Sequence, residues 1–283
     1  MNWSHFKFYC NEVKRLLARG EEAIPAFERA KASVLSKEFG PELNPQEIPA
    51  SILTSLKSED YSNEEVQAAL AIYDELDISE LANKPIRIRR VGIYIAYLVF
   101  MYFVLSSIYF VYVIPETLSM FEAMDIPAPE SFIWFVDNWV AILLIVMTLL
   151  VGAFLVSRKI KAIFEYKKDV EKSIIYRFML PKKIRSGYER LTSLIRLPLH
   201  IVKNRGDGIN DDIIQYYHSE KYSSKEISDS LSILINENVN NLLSYSESYM
   251  RRIYVVVAIL VIFSIYEFVV SAYAPLFAMG EVL

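Results

Sequence analysis

Basic residues are missing from two long stretches of this 283-residue chain: none lies between Arg90 and Arg158, and none follows Arg252. Cysteine occurs once, as Cys10, which excludes an intrachain disulfide and leaves a buried or incidental thiol. The three histidines, His5, His200 and His218, stand without metal-ligand spacing to one another or to carboxylates, so they read as surface or packing residues. No Gly-x4-Gly-Lys-Ser/Thr occurs, which removes the common route to ATP hydrolysis. "GDG" (206–208) lacks a third glycine and follows no strand, so it is a turn. Asp207, Asn210, Asp211 and Asp212 miss the calcium-loop spacing and suit capping of the next helix instead. "RGD" (205–207) falls on the basic, cytoplasmic side, where it has no adhesive meaning. The opening "MNWSHFKFYC" has no signal-like apolar run, so the mature protein is expected to begin there. No catalytic, cofactor-binding or metal-ligating residue is nominated, and the expectation is a protein that is not an enzyme.

What the chain has is apolar length. It is 53% hydrophobic with a net charge of −4, and the excess sits in three runs, 91–114, 139–156 and 253–274. Each matches the roughly 20 residues needed to cross a bilayer. Basic clusters flank them on one side only: "KPIRIRR" (84–90), "SRKIKAIFEYKK" (157–168) and "MRR" (250–252). The intervening 115–138 carries Glu116, Glu122, Asp125, Glu130 and Asp137. By the positive-inside rule the N-terminus is cytoplasmic and the C-terminus lies outside. Beside a membrane, these basic clusters suit anionic headgroups better than nucleic acid. The acidic loop reads as a solvated face, with attraction of a basic partner as the alternative. The Tyr and Phe of the first run read as lipid-facing and helix-packing bulk.

The remaining sequence shows helical periodicity. Phe6, Tyr9, Val13, Leu16 and Leu17 form one face, with Phe27 and Ala30 beyond an interruption at Gly20. Residues 38–51 form a proline-bearing connector, and breaks are expected near Pro181 and Pro198. The reading is an all-α membrane protein: three transmembrane helices with two related cytoplasmic helical-bundle domains. The expected segments are domain 1 at 1–90, spans at 91–114, 139–156 and 253–274, an acidic outer loop at 115–138, domain 2 at 157–252 and an outer tail at 275–283.

An internal repeat relates the two domains. At an offset of 161, Ser58, Glu59, Tyr61, Ser62, Glu65, Leu70 and Ile72 fall on Ser219, Glu220, Tyr222, Ser223, Glu226, Leu231 and Ile233. Val66, Ile78 and Leu81 fall on Ile227, Val239 and Leu242, which keeps the apolar face. Ser62 with Glu65, and Ser223 with Glu226, form the capping-box pattern at the start of a helix. Val66, Leu70 and Tyr73, and likewise Ile227, Leu231 and Leu234, are expected to pack inside their own domains. Each copy runs through a basic cluster into a span that ends at Tyr plus Pro: Tyr112 and Pro115 in "YVIP", Tyr273 and Pro275 in "YAP".

This layout resembles the inner-membrane platform proteins of type II secretion systems and type IV pili. "YVIPETLSMFEAMDIPAPESFIWFVDNW" (112–139) and "VVSAYAPLFAMGEVL" (269–283) are similar to that family's span exits. "EVKRLLARGEEAIPAFERA" (12–30) resembles its opening helices. The family's Gly-Glu-x-x-Gly stretch is absent from 71–84, and its N-terminal domain is usually longer, so the resemblance is to a divergent, compact member. The resemblance implies a homo-oligomeric device in the bacterial inner membrane without cofactors. It would couple a hexameric cytoplasmic assembly ATPase to extraction of pilin or pseudopilin transmembrane helices, alongside other inner-membrane components. A subunit of an oligomeric transporter or channel is the alternative, although no span is interrupted by a mid-membrane Pro or Gly pair. A receptor or adaptor would have little outer chain with which to sense.

One residue breaks the apolar pattern of the third run. Glu267 lies about 14 residues beyond Ile253, roughly 21 Å along a helix in a hydrocarbon core about 30 Å thick. A carboxylate there is expected to face protein rather than lipid. The repeat offset places Ser106 and Ser107 at matching height in the first span, as partners within the chain or across an oligomer. Contact with an incoming transmembrane helix is the other reading.

Overall fold

The computed structural model describes residues 3–39, 43–58, 60–76, 78, 89–125, 127–167, 174–203, 211–219 and 222–280. Among these, no strand is present beyond a single antiparallel bridge between Glu47 and Lys167. The chain divides into two compact units. One comprises Met1–Ile86 and Arg158–Ser246, and the other Arg87–Ser157 and Glu247–Leu283.

The first unit opens with α1 (Trp3–Leu17), α2 (Ala23–Ala32), α3 (Val34–Glu38), α4 (Ile48–Leu56) and α5 (Asn63–Glu75). α1 ends where the periodicity does. Glu21 N–H reaches the Leu16 carbonyl at 3.3 Å and Gly20 N–H the Leu17 carbonyl at 2.9 Å. That paired closure needs a left-handed residue, and Gly20 supplies it at φ 90°. α1 buries Phe6, Tyr9, Val13, Leu16 and Leu17 as the spacing predicts, and it packs on α2 and α5. His5 is buried as a packing residue, its Nε2 3.0 Å from the Ser36 hydroxyl. Cys10 is fully buried, and burial first, then the nearby Asp74, raises its thiol pKa. That chemistry makes it an inert core residue.

Two segments read as separate domains lie in this one unit. α10 (Lys182–Lys203), which follows α9 (Ile174–Met179), packs on α4 and α5. Tyr73, from α5, is 1% exposed and donates its hydroxyl to the Ile195 carbonyl at 2.9 Å. Arg196 donates to the Ser51 hydroxyl at 3.2 Å. The apolar face of α5 is therefore closed by the second segment and not by the first alone. The physical reason is supply. α10 buries Ile184, Tyr188, Leu191, Leu194, Ile195 and Leu197, and burying each large side chain contributes about 1.5–3 kcal/mol. The same supply explains why Pro198 does not break α10. Interior proline costs about 3 kcal/mol, and this one lies in a turn whose apolar face is buried. Pro181 does mark a boundary: its carbonyl accepts from Ile184 and Arg185 at the start of α10.

The second unit holds three helices long and apolar enough to cross a membrane. α6 (Arg89–Ile108) passes through a π-helical turn (Tyr109–Val113) into α7 (Ile114–Met124). α8 (Glu130–Phe164) runs on into the first unit. After α11 (Asp211–Ser219), α12 (Ser224–Gly280) runs from the first unit into the second as one helix. The acidic segment 115–138 is not a loop along most of its length, because α7 and the start of α8 occupy it. Asp125 ends α7 in the left-handed region, φ 53°, which Asp tolerates better than most residues.

Candidate functional site: the intramembrane seam

The seam lies in the second unit, and its spacing sets it up. Val99, Tyr102, Ser106 and Tyr109 recur at intervals of three and four along the first apolar helix. Val257, Val261, Ser264, Phe268 and Ser271 do the same along α12. Spacing that averages 3.5 residues lines one face of a helix, the geometry of helix pairs that pack side by side. Phe268 is the centre of contact. Its ring lies edge-on to Tyr109 at 5.0 Å and to Tyr102 at 6.4 Å, and tilted against Phe135 of α8 at 6.1 Å. One phenylalanine thus touches aromatic residues of both other apolar helices. Phe110 stacks on Trp139 at 4.4 Å.

Serines fill the seam between the rings. Ser106, 1% exposed, donates to the Phe103 carbonyl at 3.2 Å, and Ser264, 2% exposed, to the Leu260 carbonyl at 2.9 Å. Both hydroxyls are satisfied within their own helices, as small seam residues in membranes commonly are. Ser271 is different: it is buried, and its hydroxyl has no partner among the described residues.

Glu267 does not enter this seam. It is half-buried, and among the described residues it makes no hydrogen bond or ion pair, with Ser106, Ser107 or any other group. The repeat offset carries no information on azimuth. One residue along a helix turns about 100°, so Phe268, not Glu267, faces Tyr102 and Tyr109. Ser107 is half-buried, beside the seam.

The two Tyr-Pro pairs do not end their helices. Tyr112 and Tyr273 are exposed, and Pro115 stands in the first turn of α7. Proline removes a donor and clashes with the carbonyl four residues back. The chain answers by widening the preceding turn: Ile114 N–H reaches the Tyr109 carbonyl, five residues back. Pro275 lies within α12. No signal in the sequence pointed to the π turn beyond Pro115 itself.

The repeat's start signals are present in both copies. Ser62 N–H donates to Glu65 Oε2 at 2.7 Å while Glu65 N–H donates to Ser62 Oγ at 3.2 Å. Ser223 N–H donates to Glu226 Oε2 at 2.8 Å, and Glu226 N–H to Ser223 Oγ at 3.3 Å. Beyond these boxes the faces diverge. Val66, Leu70 and Tyr73 are fully buried, as is Leu231, but Leu234 is half-buried. The face of α12 carrying Glu226, Asp229, Ile233 and Glu237 is exposed. The copies also end differently: α5 stops at Glu75, whereas α12 continues unbroken.

One further feature was invisible to sequence reasoning. α8 closes with Lys167 N–H on the Ala162 carbonyl and Tyr166 N–H on the Ile163 carbonyl. The left-handed position of that closure is held by Tyr166, φ 53°, and not by glycine. Its carbonyl accepts from Ile48 N–H at 3.0 Å, its ring meets Trp3 edge-on at 5.7 Å, and Tyr188 donates to the next carbonyl, of Lys167, at 3.0 Å. These contacts fix the end of an apolar helix inside the first unit. No protein-family model matches this chain, and no curated protein or solved structure does either.

Proposed function

We propose that this chain is an inner-membrane platform protein of a type IV pilus or type II secretion machine. In this reading it is not an enzyme. It receives force from a hexameric cytoplasmic assembly ATPase and passes it to pilin or pseudopilin helices leaving the bilayer. The N-terminus is cytoplasmic and the C-terminus lies outside the membrane.

The observation that supports this reading best is the duplicated capped helix. Ser62 with Glu65 and Ser223 with Glu226 start two related helices whose buried faces contribute to one helical unit. A unit assembled from chain on both sides of two apolar helices resists being pulled apart. It also offers a charged, partly apolar outer face on α12, with Ile233 68% exposed among Glu226, Asp229 and Glu237. α8 and α12 each contribute residues to both units.

The test is native purification of the full chain in parallel with deletion. The reading expects a hexameric ATPase to co-purify, and deletion to abolish surface filaments or secretion. Ile233→Lys should weaken that co-purification while leaving the amount of membrane-inserted chain unchanged. A deletion that leaves filaments and secretion intact but abolishes uptake of a solute would replace this reading with a transporter subunit.

A further inference from the structure

The short helix α9 has two unlike sides. Tyr176 is buried: its hydroxyl donates to the Arg185 carbonyl at 3.2 Å, and its ring meets Tyr188 edge-on at 6.4 Å. Leu180, just beyond the helix, is buried as well. Ile174 and Phe178 stand four residues apart, hence on one face, and are 76% and 81% exposed. No other large apolar side chain among the described residues is as exposed as these two. The helix is thus held by one side while the other offers an aliphatic and an aromatic side chain to its surroundings.

Cations surround this pair. Residues 174–190 hold Arg177, Lys182, Lys183, Arg185 and Arg190 against a single acid, Glu189, in a chain whose net charge is −4. Arg177 and Lys182 are exposed, and among the described residues neither makes a hydrogen bond or ion pair.

Contacts inside the first unit show which way this end of α10 points. A Cβ on Gly187 would meet Leu242 Cδ1 at 3.4 Å, and Lys183 Nζ lies 5.6 Å from the centre of the Tyr245 ring. Falling numbers on α10 therefore meet rising numbers on α12, so the two helices run antiparallel here. The start of α10, with α9 just before it, points along α12 toward Arg251 and Arg252. Tyr245 precedes Arg252 by seven residues of one unbroken helix, roughly 10 Å of rise.

We propose that α9 and the start of α10 form an interfacial anchor for anionic phospholipid, a second attachment to the bilayer besides the three apolar helices. Ile174 and Phe178 enter the headgroup boundary of the leaflet on the basic side. Arg177 and Lys182 stay at its wet surface and hold lipid phosphates. Short apolar side chains bury there while long basic ones extend to the headgroups. The negative potential of a phospholipid surface attracts basic residues beside it and fades within a Debye length, so the direction of α10 matters as much as its charge. That direction, together with the cation excess around an isolated apolar pair, selects a lipid surface over a protein groove. Tyr176 and Leu180 already fix the helix, so little ordering is left for the contact to impose. The anchor requires the three-span insertion and stands or falls separately from filament assembly.

The test uses the full chain with its only cysteine removed as Cys10→Ala. It is reconstituted in vesicles of phosphatidylcholine alone or of phosphatidylcholine mixed with phosphatidylglycerol. A polarity-sensitive fluorophore is attached at Ile174→Cys, with Phe178 left in place, or at Glu189→Cys as an exposed control on α10. Lipids brominated near the headgroup serve as quenchers. In the mixed vesicles quenching at 174 should exceed that at 189 several-fold, and it should fall several-fold in phosphatidylcholine alone. Phe178→Ser, and separately Arg177→Gln combined with Lys182→Gln, should bring it down to the control level. The unfolding midpoint should not change, because all three side chains are exposed. Equal quenching at the two positions, or quenching indifferent to phosphatidylglycerol, would overturn the proposal. So would a blue-shifted but unquenched signal at 174 that grows with the protein-to-lipid ratio, which would put a second copy of the chain on this face.

Discussion

The Tyr73 hydroxyl donates to the Ile195 carbonyl at 2.9 Å, 122 positions further along the chain. Both residues are fully buried, and two apolar helices separate them in sequence. This bond ties the segment before the first apolar helix to the segment after the second. Burial drives the Tyr73 pKa upward, so the phenol remains a donor throughout the physiological range. Tyr73→Phe keeps the ring and deletes the bond. The expected cost is about 1 kcal/mol, the usual net value of one buried neutral hydrogen bond. It is read as a lowered midpoint in thermal unfolding of the detergent-solubilised chain.

Tyr166 lets backbone strain be separated from packing. Its left-handed φ disfavours any residue but glycine, yet its ring is buried against Trp3. Tyr166→Ala loses the packing and keeps the strain, at an expected cost of about 3–5 kcal/mol, as for other large-to-small aromatic replacements. Tyr166→Gly loses the packing and relieves the strain, so it should be more stable than the alanine variant by up to about 1 kcal/mol. Equal midpoints for the two variants would show that the left-handed geometry carries no cost.

How much was legible followed how local each signal was. Both capping boxes and the Gly20 closure depend on residues within one turn, and the sequence displays them openly. The three apolar helices were equally plain, because their length and composition suffice. The features that resisted reading depend on distant partners. Tyr166 occupies a glycine position because Trp3 and Ile48 hold it, and nothing near residue 166 announces that. Pro198 reads as a helix break until the buried face around it is known. The repeat suggested two self-sufficient domains because it shows similar patterns, whereas closure of the core depends on which faces find each other. At Glu267, counting residues along the helix gives no azimuth. Only the aromatic contacts of Phe268 show which side of the helix faces the other apolar helices.

Glu165, just beyond α8, gives a pH signature. The Lys167 ammonium hydrogen-bonds to its carboxylate at 2.8 Å and holds its pKa below the usual carboxylate range. A depressed folded-state pKa adds stability that is present above the unfolded value, near 4.3. That stability is lost as pH falls through the folded value. Glu165→Gln should therefore lower the unfolding midpoint at pH 7, and the gap from wild type should close below about pH 4. A gap that persists unchanged into acid would assign the effect to packing.

The shared core makes a prediction about protease sensitivity. Leu70 is fully buried on α5, which packs against α10. Leu70→Asp buries an unpaired charge, at a cost of several kcal/mol in order of magnitude. Limited proteolysis should then cut within 182–203 as well as within 63–75, because the two helices close one core. Cleavage confined to the N-terminal segment would mean that the segments are stable apart.

The central claim is that residues on both sides of two membrane helices fold together on one face of the bilayer. Topology reporters test it most directly, with fusions after Asp125, near Asp207 and at Leu283. Met1–Ile86 and Arg158–Ser246 form one unit, so the proposed topology puts them in one compartment, and the one-sided distribution of Lys and Arg predicts the cytoplasm. The expected result is a cytoplasmic signal near Asp207 and outside signals after Asp125 and at Leu283. A cytoplasmic signal at Leu283, or an outside signal near Asp207, would contradict the account.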